Sequence, residues 1–270
     1  MFNPFLKIRE RSSNNKINKS IDTIFHNTFF EDLSLSGLDI PAGKLNNHVY
    51  IYQWFTSYYK KFLPPAFQLH RQYFNMANRG FGEDAFHALW FLVFQKYRPS
   101  KILEIGVYRG QTLSYFNLLG KYFNYPVDVH GISPLDDSGD SYSGYEKINY
   151  AADIALNFSK FGLPTPNLHK GYSNDNAMLQ FIASNTWDLI YIDGSHDYDI
   201  VTQDINASLA ALKTGGVLVM DDASLYQDYI APEGSFKGHP GTSKAADELK
   251  ASGRCTNLIN VGHNRVFIKK

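Results

Sequence analysis

The sequence predicts an α/β fold: a doubly wound sheet of seven strands, the last antiparallel, preceded by a helical extension. Three observations predict it. From Ser100 onward, short apolar runs alternate with helical periodicities, the pattern of a parallel sheet with helices on both faces. The chain closes on two short strands around Gly262-His263-Asn264, a hairpin turn that sets the last strand antiparallel to its neighbour. Residues 48–99 carry helical periodicity with no strand pattern among them.

The elements follow in order. Residues 1–47 are expected to be irregular and mobile: residues 10–20 are polar and nearly core-free, and Gly37, Pro41 and Gly43 punctuate residues 34–47. Ile51, Trp54, Phe55, Tyr58 and Phe62 lie on one helical face, and Pro64-Pro65 ends that helix. A second helix is expected near 66–78. A third runs from about Glu83 to Lys96 and is apolar nearly all round, as a buried helix is. This extension, 48–99, is expected to serve as a lid or a dimer face. The domain proper, 100–270, has strands at Ile102–Val107, Pro126–Ile132, Asn167–Gly171, Trp187–Asp193, Val217–Met220, 256–261 and 265–269. Helices are expected at 111–123, about 145–161, 176–184, 198–213 and 242–251.

Composition narrows the function. Lys plus Arg and Asp plus Glu are 26 each, so no global field draws the chain to nucleic acid or anionic lipid. The single cysteine, Cys255, excludes an internal disulfide and fits a reducing compartment. The opening Met1-Phe2-Asn3-Pro4-Phe5 does not read as a signal peptide, and no apolar run is long enough for a membrane span. A cytoplasmic protein is expected, with a small-molecule partner and scope for homo-oligomerisation. The 20 Phe and 18 Tyr exceed what a minimal core needs, and serve either an aromatic core or a pocket lining.

Glu104-x-Gly106-x-x-x-Gly110 sits between the first strand and a helix. In a doubly wound sheet, ligands bind at the carboxyl ends of the strands, where the strand order reverses. Gly106 allows close backbone approach, the helix start presents unpaired N–H groups to an anion, and Thr112 adds a hydroxyl in the first turn. A dinucleotide fold needs Gly-x-Gly-x-x-Gly, which Val107 and Tyr108 interrupt. Structural glycines in a plain strand–turn–helix account for the same residues. Downstream, Ser133 ends the second strand, with Asp136 just beyond. Ser173 and Asn174 follow the third strand, where Ser173 is equally suited to capping a helix.

Asp193 ends the fourth strand and Asp221-Asp222 the fifth. Adjacent strands lie about 4.8 Å apart, so these carboxylates repel unless a cation or protons intervene. Oxygen ligation suits Mg²⁺; alternatively the pair at 221–222 caps or turns its loop. His196 follows in Asp193-Gly194-Ser195-His196 and suits a general base, a ring packed on a ligand, or a residue that orients a neighbour.

Together these residues resemble class I S-adenosylmethionine-dependent methyltransferases, specifically bacterial small-molecule and sugar O-methyltransferases, and are similar to the metal-dependent catechol type. The likeness covers about residues 100–223. It implies a Rossmann-like fold, with cofactor held by Glu104 (ammonium), Gly106, Tyr108, Gly110 and Thr112. Ser133 and Asp193 are expected beside it, and Ser173 and Asn174 toward adenine. It implies Mg²⁺ on Asp193, Asp221 and Asp222, catalysis by His196 and Asp193, and methyl transfer to a hydroxyl of a sugar or polyol-like natural product. Two departures stand out: His196 replaces the family's basic lysine, and Ser133 replaces its ribose-binding acid. A metal-independent methyltransferase and a non-catalytic cofactor-binding protein are the other readings. The insertion 224–241 and the loop 136–144 are expected either to wall the acceptor site or to be plain surface loops.

Overall fold

The computed structural model describes residues 46–138, 147–232 and 235–270. The N-terminal segment expected to be mobile lies outside these but for residues 46 and 47, and so does most of the 136–144 loop.

Asn47 starts the first helix, α1 (His48–Phe62), by accepting the Tyr50 amide on Oδ1 at 3.0 Å. The diproline both stops and starts: Pro65 occupies the first turn of α2 (Pro65–Asn75), where its missing N–H leaves no partner unmet. A 3₁₀ turn (Met76–Asn78), with Ala77 and Asn78 at φ 57° and 50°, redirects the chain. Gly80-Phe81-Gly82 then leads into α3 (Asp84–Tyr97). Every position from Ala85 to Phe94 is buried, as the all-round apolar pattern predicts.

Strand and helix then alternate: β1 (Lys101–Ile105), α4 (Gln111–Tyr122), β2 (Asp128–Ser133), α5 (Tyr150–Lys160), β3 (Asn167–Lys170), α6 (Asn176–Ala183), β4 (Trp187–Ile192), α7 (Tyr198–Ala211), β5 (Leu212–Met220), α8 (Pro240–Ala251), β6 (Cys255–Val261) and β7 (Asn264–Lys269). The seven strands form one sheet in the order β3-β2-β1-β4-β5-β7-β6, with β7 antiparallel to both neighbours. The sheet is as expected. Several boundaries are not. Asn149 caps α5 by accepting the Ala152 amide, so this helix starts at Tyr150 rather than near 145. β5 begins at Leu212 and takes in Gly215-Gly216 through a register irregularity against β4, which shortens α7. Pro240 sets the start of α8, two residues before the expected one.

Neighbouring residues on each strand feed opposite cores. Ile102, Leu189, Tyr191, Val217, Val219 and Val266 join a cluster with α1, α3, α4 and α5. Leu103, Ile190, Ile192, Leu218, Met220 and Phe267 join a second cluster with α7 and α8. Residues 48–97 therefore pack into the same apolar cluster as one face of the sheet. Most of the aromatic surplus goes there: Trp90 meets Phe116 and Tyr191 edge-on at 4.8 and 5.0 Å, and Phe67 meets Tyr115 at 5.3 Å. Among the described residues no helix is long and apolar enough to cross a membrane.

One polar bond ties α3 to α4 inside this cluster. The Tyr115 hydroxyl donates to the His87 carbonyl at 2.9 Å, and Tyr115 is buried. Tyr115→Phe is expected to lose about 1 kcal/mol of unfolding free energy with no change in fold, read from the denaturant midpoint. An unchanged midpoint would show that the bond contributes nothing net.

Candidate active site

The chain order reverses between β1 and β4, and a cleft of about 340 Å³ opens at their carboxyl ends. The turn after β1 forms one wall. Gly106 has φ +102°, and a Cβ there would lie 1.9 Å from the Asp193 carbonyl oxygen. Its freedom thus serves the close approach of the loop after β4. Gly110 starts α4 without any side-chain cap, so the helix N-terminus faces the cleft with Gln111 and Thr112 in its first turn.

Glu104 lies beneath that helix end. It is 3 % exposed, and its Oε2 has no hydrogen-bond partner among the described residues. Burial pushes its carboxyl up to about 8, against the Thr112 hydroxyl and Leu113 amide, which favour the ionised form. A buried carboxyl oxygen with no mate, beside an uncapped helix start, matches the two charges of an amino-acid zwitterion. Tyr108 stands at the mouth, its ring 5.1 Å from Phe81 and 5.7 Å from Tyr150.

The other wall is built from acids and histidines. The carboxyls of Asp193 and Asp221 hydrogen bond to one another. Burial, then the charge of Asp221, holds Asp193 well above the usual carboxylate range. Burial also raises Asp221, partly offset by His263, whose Nε2 lies 3.3 Å from Asp221 Oδ1. Burial alone would lower the His263 pKa, but the charges of Asp221, Asp222 and Glu83 outweigh it and raise it. Asn264 donates to Asp221 at 2.7 Å. Asp222 turns away in the left-handed region at φ 52° and takes His196 Nε2 at 2.7 Å.

The predicted residues divide accordingly. Glu104, Gly106, Tyr108, Gly110, Thr112, Asp193, His196, Asp221 and Asp222 all line the cleft. Ser133, Ser173 and Asn174 do not. The Ser133 hydroxyl accepts the Leu135 amide at 3.3 Å, and Ser173 faces the buried Asp204 on α7. Asp136 is spent on Ser138 and Lys170 at the surface. The expected all-carboxylate metal set changes composition. Among the described residues, the donors that converge within 4.8 Å are Asp221, Asp222 and His263, and His196, Asp222 and His239; Asp193 is in neither group. Imidazole donors do not suit Mg²⁺, which prefers oxygen in a near-octahedral shell. His196 offers an acceptor hydroxyl little purchase, because Asp222 engages Nε2 and Nδ1 is buried.

Two contributors were missed, and a third was named only as part of a candidate acceptor wall. Glu83 starts α3, accepts the Tyr52 and Ser235 hydroxyls, and lies 3.9 Å from His263. His263 reads in sequence only as part of a turn signal. His239 reads in sequence as one residue of the candidate acceptor wall in the 224–241 insertion. Each sits far along the chain from its partners, and no spacing within the sequence pairs them.

A family model described as "Methyltransferase domain" matches residues 103–223. The uncharacterized protein R132 of Acanthamoeba polyphaga mimivirus is 32 % identical over 131 residues, 47 % of this chain and 52 % of that protein. The chain thus spans about half the length of the curated relative it matches. Among solved structures, the SAH-bound methyltransferase PaMTH1 of Podospora anserina aligns with a TM-score of 0.55 at 15 % identity, over 81 % of this chain and 94 % of that one. The O-methyltransferase of Bacillus cereus in complex with SAH aligns at 0.53 and 16 %, over 83 % and 100 %. At such identities the likeness is one of fold. Residues 103–223 are thus similar to a methyltransferase domain, and the fold around them is the class I fold that the sequence resemblance implied.

Proposed function

We propose that this protein transfers a methyl group from S-adenosylmethionine to a hydroxyl of a small molecule. One observation carries the reading: the orphan oxygen of Glu104 and the uncapped start of α4 face the same end of one cleft. Glu104, oriented by the Thr112 hydroxyl, receives the ammonium group, and the first-turn amides of α4 receive the carboxylate. Tyr108 and Phe81 wall the mouth. When bound, the cofactor supplies a methyl group already activated by its sulfonium, so the protein's task is alignment and proton removal.

The Asp193–Asp221 pair takes the acceptor's proton. Two buried carboxyls joined by a hydrogen bond hold one proton between them, and the remaining charge of the pair is what accepts another. Asn264 and His263 keep Asp221 in place. A sugar or polyol-like acceptor suits this polar wall. No step is assigned to the Mg²⁺ that the family resemblance implied.

Calorimetry is expected to show S-adenosylmethionine binding in the micromolar range, and labelled methyl to appear on an acceptor from a panel of hydroxylated small molecules. No saturation up to millimolar cofactor would reject the reading. Binding without transfer across the panel would favour a cofactor-binding protein that does not catalyse.

A further inference from the structure

We propose that His196, His239 and Asp222 form a binding site for a borderline divalent transition ion of the Zn²⁺ class, held on two imidazoles and one carboxylate. The site goes beyond methyl transfer and does not depend on it.

The donors come from three separate segments. His196 lies in the loop after β4, Asp222 follows β5, and His239 immediately precedes α8. Asp222 Oδ2 is 2.7 Å from His196 Nε2 and 3.9 Å from His239 Nε2, and the three ligand atoms lie within 4.8 Å of one another. Metal–nitrogen and metal–oxygen bonds of about 2.0–2.2 Å put neighbouring ligands roughly 3–3.5 Å apart, between the two observed separations. A modest swing of His239 closes the set. The two imidazole rings already lie against one another, tilted, with centroids 3.9 Å apart and 41° between planes.

The backbone is shaped to bring the donors together. Gly238 has φ +117°, and a Cβ there would sit 2.0 Å from the Asp222 carbonyl oxygen. A Cβ at Gly241 would sit 2.2 Å from the His196 carbonyl oxygen. The two glycines flanking His239 are thus each fixed by contact with one of the other two donor residues. The His239 amide donates to the Asp222 carbonyl at 2.9 Å, and the Thr242 hydroxyl donates to the same oxygen. Asp222 itself adopts φ 52°, a conformation few side chains accept. His263 Nε2 lies 3.8 Å from the other carboxylate oxygen, Oδ1, outside the set.

The donor chemistry selects the ion. Two nitrogens and one oxygen suit Zn²⁺, Fe²⁺ or Co²⁺ and disfavour Mg²⁺ and Ca²⁺. All three residues line the cleft, so a bound ion keeps coordination positions open to water or another ligand.

The test uses the full chain, stripped with chelator and without cofactor or acceptor. Co²⁺ is expected to bind in a single equivalent and to give visible d–d absorption. Zn²⁺ is expected to displace it, and millimolar Mg²⁺ to leave it unchanged. His239→Ala is expected to weaken Zn²⁺ binding by about 100-fold or more and to remove the cobalt bands, with a denaturation midpoint confirming a folded chain. His196→Gln provides the second reading if His239→Ala fails to fold. Asp193→Asn is expected to keep the cobalt spectrum. The proposal is overturned if Co²⁺ and Zn²⁺ fail to bind at millimolar concentration, if Mg²⁺ competes on equal terms, or if Asp193→Asn removes the bands while both histidine variants keep them. Because no cofactor is present, failure here leaves the methyl-transfer reading to its own calorimetric test.

Discussion

Gly106→Ala is expected to abolish cofactor binding and to destabilise the fold together. Two physical causes act at one carbon. The residue has φ +102°, which an L side chain rarely adopts, and the added methyl would lie 1.9 Å from the Asp193 carbonyl oxygen. Neither is easily relieved, because the turn is pinned on both sides: the Gly106 amide donates to Ile132 at 2.9 Å, and the Asp193 amide donates to Ile105 at 2.8 Å. Forced backbone and overpacking each cost about 1–3 kcal/mol, so a loss of several kcal/mol is expected. The shift needed to clear the clash moves Asp193 and the start of α4 apart, so both walls of the cofactor cleft are displaced. Denaturant unfolding and cofactor calorimetry on the same preparation check this. An unchanged midpoint with intact affinity would mean that the turn relaxes without opening the site.

That contact also shows where sequence reading stops. The spacing Glu104-x-Gly106-x-x-x-Gly110 was enough to place a turn between strand and helix, because strand and helix periodicities are local. It attributed Gly106 to ligand approach, whereas the close neighbour is the backbone of a residue 87 positions along the chain, Asp193. The fold was legible for the same reason that the reason for Gly106 was not. Alternation of apolar runs determines which residues become strands, and right-handed crossovers then leave few topologies. Boundaries set by caps were less visible. Asn149 and Pro240 decide the starts of α5 and α8, yet each competes with helical periodicity running past it.

The site was half legible. The carboxylates at the ends of β4 and β5 stand on neighbouring strands, so their convergence follows from topology alone. Their partners do not. His263 occupies the β6–β7 turn, His239 precedes α8, and Glu83 starts a helix of the extension. His263 reaches Asp221 because β7 inserts between β5 and β6, Glu83 reaches His263 because α3 packs on the sheet, and His239 is held to Asp222 by its own amide. The histidines change the chemistry of the wall: acids that would need a hard cation if alone are instead met by imidazoles and by one another. The ribose-side expectation at Ser133 and the adenine-side ones at Ser173 and Asn174 rested on family position, and here those side chains face Leu135, Asp204 or the surface rather than the cleft.

Glu104→Gln is expected to lose cofactor affinity while making the protein more stable in alkaline solution. Burial raises the Glu104 carboxyl from 4.5 to about 8. Below about pH 4.5 both folded and unfolded chains keep the proton, and the residue has no effect on stability. Between there and about pH 8 the unfolded chain releases the proton while the folded chain holds it, so stability falls as pH rises; above about pH 8 the loss levels off. At ~1.4 kcal/mol per pH unit the full effect is about 5 kcal/mol, and a neutral amide removes it. The same change deletes the negative charge that answers the cofactor's ammonium in a buried site, which is worth about 100-fold or more in affinity. Urea midpoints at pH 5 and pH 8.5 for both proteins, with calorimetry at neutral pH, separate the two effects. A variant less stable than the parent at pH 8.5 would show that Glu104 is held ionised by partners in the folded state. A variant that binds cofactor as tightly as the parent would remove Glu104 from the binding site. The expected combination, more stable in alkali and weaker in cofactor binding, is what a carboxyl buried for a ligand should produce, because only the bound ammonium offsets the desolvation of its charge.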